Sequence, residues 1–437
     1  MVDKIVKKLN FSLIIFLIIM MPTCFFLTNY LNVNLYFYMI LQLIIPLELL
    51  IYIYNIINKN IRINKYDVLV YILSVLGIIV TIVAVDPQTS FWGAYLRNEG
   101  LLAIVTYYLL FLNVKSFNKE EIINVLDSLF IMGTVQFVYC ILQVFVRGKY
   151  IIGFKAGLSY MASGFIGNPN MLGSFCVVVL LLSLSMHFIF NQKRYLIFSL
   201  VFYINLILAQ STGPFFAFVI SFFVMMFVLV RKKFINWKKF FLMILVFVLS
   251  FIMVSFTVER YCTNVFKDKI QPGSMIKDDI ISTFSLLSLE DSDENKGGLN
   301  NIITTEDVFS YYGSGRLDIW RNSIKIIPKY WLFGAGIDNF GYVYPTHLYG
   351  GYVDKAHNEY LQILITKGIF ALFTYLILLF NLFVDGIKSK DPLAWALLLG
   401  VIGYALQAFM NISVTTVAPF YFIVCGMLVS MVQSKKV

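Results

Sequence analysis

The chain has 437 residues, of which 59% are hydrophobic and only 13% are charged. Because soluble domains carry about 25% charged residues, this composition excludes a soluble globular protein and indicates an integral membrane protein. The net charge of +10 does not indicate nucleic-acid binding, because the basic residues lie in short segments between apolar runs.

Apolar runs along the chain predict an all-α polytopic membrane protein with about twelve transmembrane helices, since roughly 20 apolar residues cross the hydrocarbon core as a helix. The predicted spans are 11–29, 34–57, 67–85, 100–113, 122–146, 171–190, 195–210, 213–230, 240–257, 359–383, 392–410 and 414–432. Residues 1–257 therefore hold nine spans, 258–358 form one large extracytoplasmic loop with short helices before the tenth span, and 359–437 hold the last three.

Basic residues are concentrated in every second segment between the predicted spans. They are Lys4, Lys7 and Lys8; Lys59, Arg62 and Lys65; Lys115 and Lys119; Lys193 and Arg194; Arg231, Lys232, Lys233, Lys238 and Lys239; Lys388 and Lys390; and Lys435 and Lys436. Under the positive-inside rule these segments and both termini face the cytoplasm.

Cysteine and histidine usage indicates neither a disulfide framework nor a metal. Four of the five cysteines fall in predicted spans, and only Cys262 lies in an outer segment. With three histidines and no Cys-x-x-Cys motif, we predict no metal site and no cofactor.

The large loop divides into a polar part and an aromatic part. Residues 267–306 are polar and charged and are expected to be mobile. Ser314 is predicted to cap a helix that begins near Gly315 and ends before Pro328. The apolar face of that helix is predicted to pack on the membrane domain and consists of Leu317, Trp320, Ile324 and Ile327.

Three cations on this helix are candidates for a diphosphate site, since the guanidinium group offers a planar fork of donors to phosphate oxygens. Arg316 is the strongest candidate, because free backbone N–H groups at a helix start also favour anions. Arg321 and Lys325 stand one turn apart and could instead form a solvated basic face.

Three further candidates lie where outer segments enter the membrane. Arg97 could bind substrate, pair with Glu99 or snorkel to the interface. His357 could be structural, or it could accept a proton from a hydroxyl nucleophile, and the adjacent Asn358 is a candidate substrate contact.

Polar residues near span ends complete the set of candidates. Asn168 and Asn170, in Gly-Asn-Pro-Asn, could form a polar site facing headgroups, or Asn170 could cap the sixth span. Lys367 is costly inside a span and is predicted to line the same cavity as His357. A DxD-like sequence, Asp291-Ser292-Asp293, is interpreted as a solvated loop.

The order of these motifs resembles the O-antigen ligase and O-antigen polymerase superfamily of bacterial membrane glycosyltransferases. The specific part of the resemblance lies within 313–372. The matching motifs are Gly93…Arg97…Gly100, Gly167-Asn168-Pro169-Asn170, Arg316…Trp320…Pro328…Gly334-x-Gly336…Phe340, His357-Asn358-x-x-Leu361 and Gly368.

The chain departs from the family pattern at one place. Family members often carry Ser-Arg or Ser-x-Arg before the eighth span, whereas this chain has Gln210-Ser211-Thr212-Gly213-Pro214. Because no arginine stands there, Arg97, Arg316 or Arg321 is expected to take over its phosphate contact.

The resemblance implies a GT-C-like, metal-independent and inverting glycosyltransferase of the bacterial cytoplasmic membrane. Its donor would be a glycan on undecaprenyl diphosphate, held by Arg316 with support from Arg97 and Arg321. Its acceptor would be a hydroxyl on another lipid-linked glycan, prepared by His357. The expected partners are membrane lipid and a flippase or chain-length regulator, with no nucleic acid.

Three other functions remain open on the sequence. A ligase would transfer the glycan to a lipid core or other cell-surface acceptor; amino-acid usage typical of an AT-rich genome favours a polymerase instead. A secondary transporter with twelve spans would concentrate polar groups at mid-membrane. Cell-wall polymerases of the shape-and-division type would depend on an acidic residue of the outer loop.

Overall fold

The computed structural model describes residues 2–27, 33–95, 97–145, 150–151, 154–155, 161–266, 316–345 and 353–433. The helices are α1 (Val2–Leu27), α2 (Val33–Ile57), α3 (Lys65–Ile82), α4 (Pro87–Trp92), α5 (Leu101–Val114), α6 (Lys119–Phe145), α7 (Pro169–Phe190), α8 (Lys193–Ala209), α9 (Thr212–Arg231), α10 (Trp237–Phe266), α11 (Arg316–Tyr330), α12 (Phe340–Val343), α13 (Glu359–Lys388), α14 (Pro392–Gln407) and α15 (Ala418–Gln433). A 3₁₀ turn covers Gly164–Ile166. A small antiparallel hairpin joins β1 (Tyr150–Ile151) and β2 (Phe154–Lys155).

Each of the twelve predicted spans coincides with a helix. Eight helices of the described residues are long and apolar enough to cross a membrane, namely α1, α2, α3, α6, α7, α9, α10 and α13. Three shorter apolar helices, α5, α14 and α15, correspond to the fourth, eleventh and twelfth spans. The 17-residue α8 corresponds to the seventh. The prediction of an all-α polytopic membrane protein is confirmed.

Helix α7 forms the centre of the bundle. In its most apolar stretch 94% of the residues are buried, against 22% in α10. Small residues allow its neighbours to approach closely: a Cβ on Gly173 would lie 2.7 Å from Pro214 of α9, and one on Gly403 of α14 would lie 2.2 Å from Leu181. The N-terminus of α7 is thereby held beside that of α9, and its middle is packed against α14.

The segments between the helices separate into two ends of the bundle. At one end, segments predicted to be outside contact each other: Val85 N donates to Ala335 O at 2.8 Å, and Glu359 N donates to Ala408 O at 2.8 Å. At the other end, basic segments are joined by ion pairs, such as Lys119 with Asp391 at 3.2 Å. This separation agrees with the predicted alternation, and the side of the membrane that each end faces stays a prediction.

Cysteine labelling tests that sidedness. An impermeant maleimide applied to intact cells should label Cys262, because the positive-inside rule places the far end of α10 outside. The competing thiols of Cys140, Cys176 and Cys425 are buried, and Cys24 is replaced by serine in every protein tested. The matched control is Ser389→Cys in a Cys262→Ser background, which should react only after permeabilisation. Labelling of Ser389→Cys but not of Cys262 in intact cells would reverse the topology.

A glycine turn, formed by Gly334 and Gly336 after α11, is hydrogen-bonded to the backbone of α13. Gly334 and Gly336 have φ values of +79° and +116°, and α13 is broken at Gly368, where φ is +80°. The break leaves backbone carbonyls of α13 without partners inside the helix. One of them, Thr366 O, accepts a hydrogen bond from Gly336 N at 3.0 Å. A Cβ on Gly334 would lie 2.4 Å from the Thr366 backbone, so this close approach requires glycine.

Helix α11 differs from its prediction in two respects. It does not end before Pro328 but continues to Tyr330, since a proline near the end of an exposed helix frees only one carbonyl, which water can reach. Its predicted apolar face is also only partly buried, since Ile327 packs beside Phe340 of α12 and Ile365 of α13 whereas Leu317 is exposed. Ile324 is 60% exposed, whereas Asn322 and Ser323 are buried.

Three predictions fall on residues outside the described part of the chain. They are the mobility of 267–306, the solvated loop at Asp291-Ser292-Asp293, and the Ser314 cap. Helix α10 also continues to Phe266, beyond the boundary expected at 257.

Candidate functional site

Arg316 reaches the junction between α7 and α9 from the first residue of α11. Its Nη2 donates to Asn170 Oδ1 at 3.4 Å, and the hydroxyl of Ser211 donates to the same oxygen. A Cβ on Gly213 would lie 3.0 Å from Arg316 Nη1. The guanidinium therefore lies beside Ser211, where the local sequence lacks the arginine expected from the family pattern.

Asn170 is placed for this contact by its neighbours. The cap of α7 comes from Asn168, whose Oδ1 accepts from Asn170 N at 2.9 Å, so the alternative that Asn170 is the cap is wrong. The carbonyl of Asn170 accepts from Asn411 Nδ2 at 3.0 Å. Asn170 thus presents its side-chain oxygen to Arg316 and Ser211, while Asn168 has a structural role.

His357 occupies a strained and electrostatically unusual position. Its φ is +49°, a left-handed conformation that non-glycine residues seldom adopt. Its Nδ1 is buried and has no hydrogen-bond partner among the described residues. Burial, followed by the charge of Arg316, lowers the pKa of His357 from 6.5 to about 4, against the opposing effect of Asp354. The imidazole is therefore neutral at pH 7 and able to accept a proton.

The turn around His357 is held on both sides by hydrogen bonds. Asn358 caps α13, since its Oδ1 accepts from Leu361 N at 3.0 Å. Trp320 of α11 donates from Nε1 to Ala356 O at 3.0 Å, which ties the turn to the helix that carries Arg316. The predicted substrate contact of Asn358 competes with this capping role.

Arg97 pairs with Asp354, not with Glu99 as one of the predicted alternatives had it. Burial alone would raise the pKa of Asp354, but the hydrogen bond and charge of Arg97 lower it below its usual value. The same bond outweighs burial at Arg97 and raises the pKa of the guanidinium. Among the charges that act on His357 are both members of this pair, so Arg97 lies in its electrostatic environment.

A buried ion cluster lies beneath this surface. The side chain of Lys355 is 4% exposed and pairs with Glu99 at 3.2 Å and with Asp338 at 2.6 Å. Asp338 also accepts from Ala94 N at 2.6 Å. The cluster joins the segment of Arg97, the glycine turn and the segment of His357, and breaking it would leave an uncompensated buried charge.

Of the three cluster members, the sequence pointed only to Glu99, as a possible partner of Arg97; Lys355 and Asp338 were missed. The signal was present, because Asp354-Lys355 stands directly before the His-Asn motif and Asp338 directly follows the glycine turn. What no pattern indicated was that these charges pair with each other and with the segment of Arg97.

Lys367 lies beside the buried ion cluster of Lys355, Glu99 and Asp338. It lines a cavity of about 50 Å³ together with Glu99, Asp338, Lys355 and Glu359. His357 is not among the residues that line the cavity, so the two residues do not share it as expected. Such a volume holds only a few water molecules and is too small for a sugar.

Arg321 and Lys325 remain on the exposed side of α11. Lys325 Nζ donates to Asn322 Oδ1 at 2.9 Å. The structure thus brings together Arg316, Asn170 and His357, with Arg97 beside them. Within the described ranges no three His, Cys, Asp or Glu side chains converge in a way that could hold a metal ion; independence from metal stays a prediction.

The fold and this site define a multi-pass α-helical membrane protein with a cationic polar site at one end of the bundle. Residues 196–376 match the model of the O-antigen ligase family, so the chain is similar to O-antigen ligases from α8 into α13. This match confirms the predicted resemblance to the O-antigen ligase and polymerase superfamily and supports a function of that general type. A search of curated proteins found no match.

Proposed function

We propose that the protein is a polysaccharide polymerase, which transfers a glycan from undecaprenyl diphosphate to a hydroxyl of another lipid-linked glycan. The reaction would take place at the outer face of the cytoplasmic membrane, with inversion and without a metal. The observation that carries the proposal is the convergence of Arg316, Asn170 and the neutral His357 at one end of the bundle.

The departing lipid diphosphate requires positive charge in the transition state. Arg316 supplies it from a partly buried position, where an aligned cation acts more strongly than in water. Asn170 Oδ1 accepts a hydrogen bond from the guanidinium, and the hydroxyl of Ser211, which donates to the same oxygen, holds Asn170 in place. Arg97 is bound to Asp354 and acts here as a supporting charge rather than a free ligand.

The acceptor hydroxyl must lose a proton as it attacks. His357 is neutral and can take that proton, which gives general-base catalysis. The two anionic phosphates of a bound donor would offset the charge of Arg316, which now lowers the pKa of His357. Donor binding would therefore make the imidazole a stronger base when it is needed.

An apolar groove offers a place for the prenyl chain. It has a volume of about 270 Å³ and lies between α13 and α14, lined by Leu379, Phe380, Phe383, Leu398, Val401, Ile402, Ala405 and Leu406. Its outer end is close to the site, because Tyr360 OH donates to Ala405 O at 2.7 Å, three residues after His357. A flippase would deliver the donor, and a chain-length regulator would act on the product.

Reconstitution tests the proposal. The purified protein in nanodiscs should convert a lipid-diphosphate-linked repeat unit into a ladder of longer lipid-linked glycans, in EDTA as well as in Mg²⁺. Transfer only to an added lipid-core acceptor would identify a ligase. Absence of any glycan transfer with a range of donors, or strict dependence on a divalent ion, would contradict the proposed reaction.

A further inference from the structure

A second recess lies at the end of the bundle opposite His357. It is a cleft of about 710 Å³ between the ends of α2, α3, α5, α13 and α15. Its cationic lining residues are Lys59, Arg62, Lys65 and Lys115, and its acidic lining residue is Asp385. The volume falls within the range of small-molecule sites, which is roughly 300–1,000 Å³.

Two of the four cations are neutralised within the protein. Lys65 pairs with Asp385 at 2.7 Å, and the buried Lys115 pairs with Asp67. Lys59 and Arg62 are exposed, and neither has a carboxylate partner in the part of the chain that the structure describes. The cleft therefore carries two uncompensated positive charges at its edge.

The loop that presents these two cations is folded back on α2. Lys59 has a left-handed φ of +57°, and Ile61 N donates to Asn55 O at 3.2 Å. Apolar side chains line the same recess, among them Ile61, Phe117 and Val432. Cations above an apolar lining suit an amphiphile that carries a phosphate.

The positive-inside rule accounts for basic residues at this end but not for a recess. Lys233 and Lys238, in the α9–α10 segment, satisfy the rule from exposed positions outside the cleft. Lys59 and Arg62 differ from them by lining a volume large enough for a headgroup.

We propose that this cleft binds a phosphate-bearing anion, with Lys59 and Arg62 on the phosphate and the apolar residues on the attached carbon chain. The source favoured by the lining is an anionic phospholipid of the adjacent leaflet. A soluble phosphate ester has the same recognition chemistry and is distinguished by experiment.

Native mass spectrometry of the full-length protein in detergent tests the proposal with three probes: phosphatidylglycerol, zwitterionic phosphatidylcholine and glycerol 3-phosphate. The wild type should retain phosphatidylglycerol in preference to phosphatidylcholine. The double variant Lys59→Gln/Arg62→Gln should bind phosphatidylglycerol about thirtyfold more weakly, since each surface cation contributes about fivefold to the affinity.

The matched control is Lys233→Gln/Lys238→Gln, which removes the same charge from the same end but outside the cleft. It should retain wild-type affinity for phosphatidylglycerol. Tighter binding of glycerol 3-phosphate than of the lipid, lost only in Lys59→Gln/Arg62→Gln, would assign the cleft to a soluble ester. Equal affinities in all three proteins, or equal losses in both double variants, would overturn the proposal.

Discussion

Replacing Arg316 with alanine should lower glycan transfer by at least about 100-fold while the protein remains in the membrane at normal amounts. The expected loss follows from the removal of a charged donor aligned with a developing anion, a change that typically costs two to three orders of magnitude. Arg316→Lys should recover part of the activity, because the ammonium keeps the charge but not the planar fork held by Asn170. The measurement is the initial rate of product formation in nanodiscs.

Arg321→Ala is the matched control for this prediction. Arg321 stands on the same helix and carries the same group, but it is exposed and lies on the other side of α11 from the buried Asn322 and Ser323. Its loss should change the rate by no more than a few fold. Near-normal turnover in Arg316→Ala would remove this residue from the proposed chemistry, and an equal loss in both variants would point to a general effect of charge.

Replacing His357 with alanine should lower the rate by about 100-fold to 10,000-fold, the usual contribution of a general base. The matched control is His187→Ala, since His187 lies at the other end of the bundle and its Nδ1 contacts Gln192 O at 3.0 Å. That change should leave turnover per folded molecule intact. Full activity in His357→Ala would refute the assignment of the base.

The pH dependence separates a base from a structural histidine. Because the pKa of His357 in the free protein is about 4, kcat/KM should stay constant as pH falls through 6.5 and decline only near 4 to 5.

The lowered pKa of His357 also makes the stability of the folded protein depend on pH. Between pH 6.5 and 4 the unfolded chain binds a proton that the folded chain does not, so stability should decrease as pH falls through this interval. His357→Gln should remove that part of the decrease.

The helical spans could be predicted because they depend on composition within one segment. All twelve apolar runs became helices, since a run of apolar residues in lipid must satisfy its own backbone hydrogen bonds. The prediction for α11 failed where this rule does not apply. Its Asn322 and Ser323 face inward, because the helix packs against protein, in a cluster that includes Ile365 of α13, and not against lipid.

The candidate site was predicted residue by residue but not as an arrangement. The sequence singled out Arg316, His357, Asn170 and Arg97 from their types and positions. It also noted that an arginine was absent near Ser211, without showing which residue replaces it. The guanidinium of Arg316 lies there and donates to Asn170, which is 146 residues away in the chain, a contact that depends on how α7, α9 and α11 pack.

The sequence by itself determined a membrane protein of about twelve helices, with basic segments at one end and a polar motif region at the other. Only the tertiary structure decided that Arg97 pairs with Asp354, that Lys355 is buried between Glu99 and Asp338, and that Lys367 lines a cavity that His357 does not line. The physical reason is the separation along the chain between the residues that interact. Hydropathy and periodicity act between residues a few positions apart, whereas charge pairing in a buried site depends on which distant segments meet.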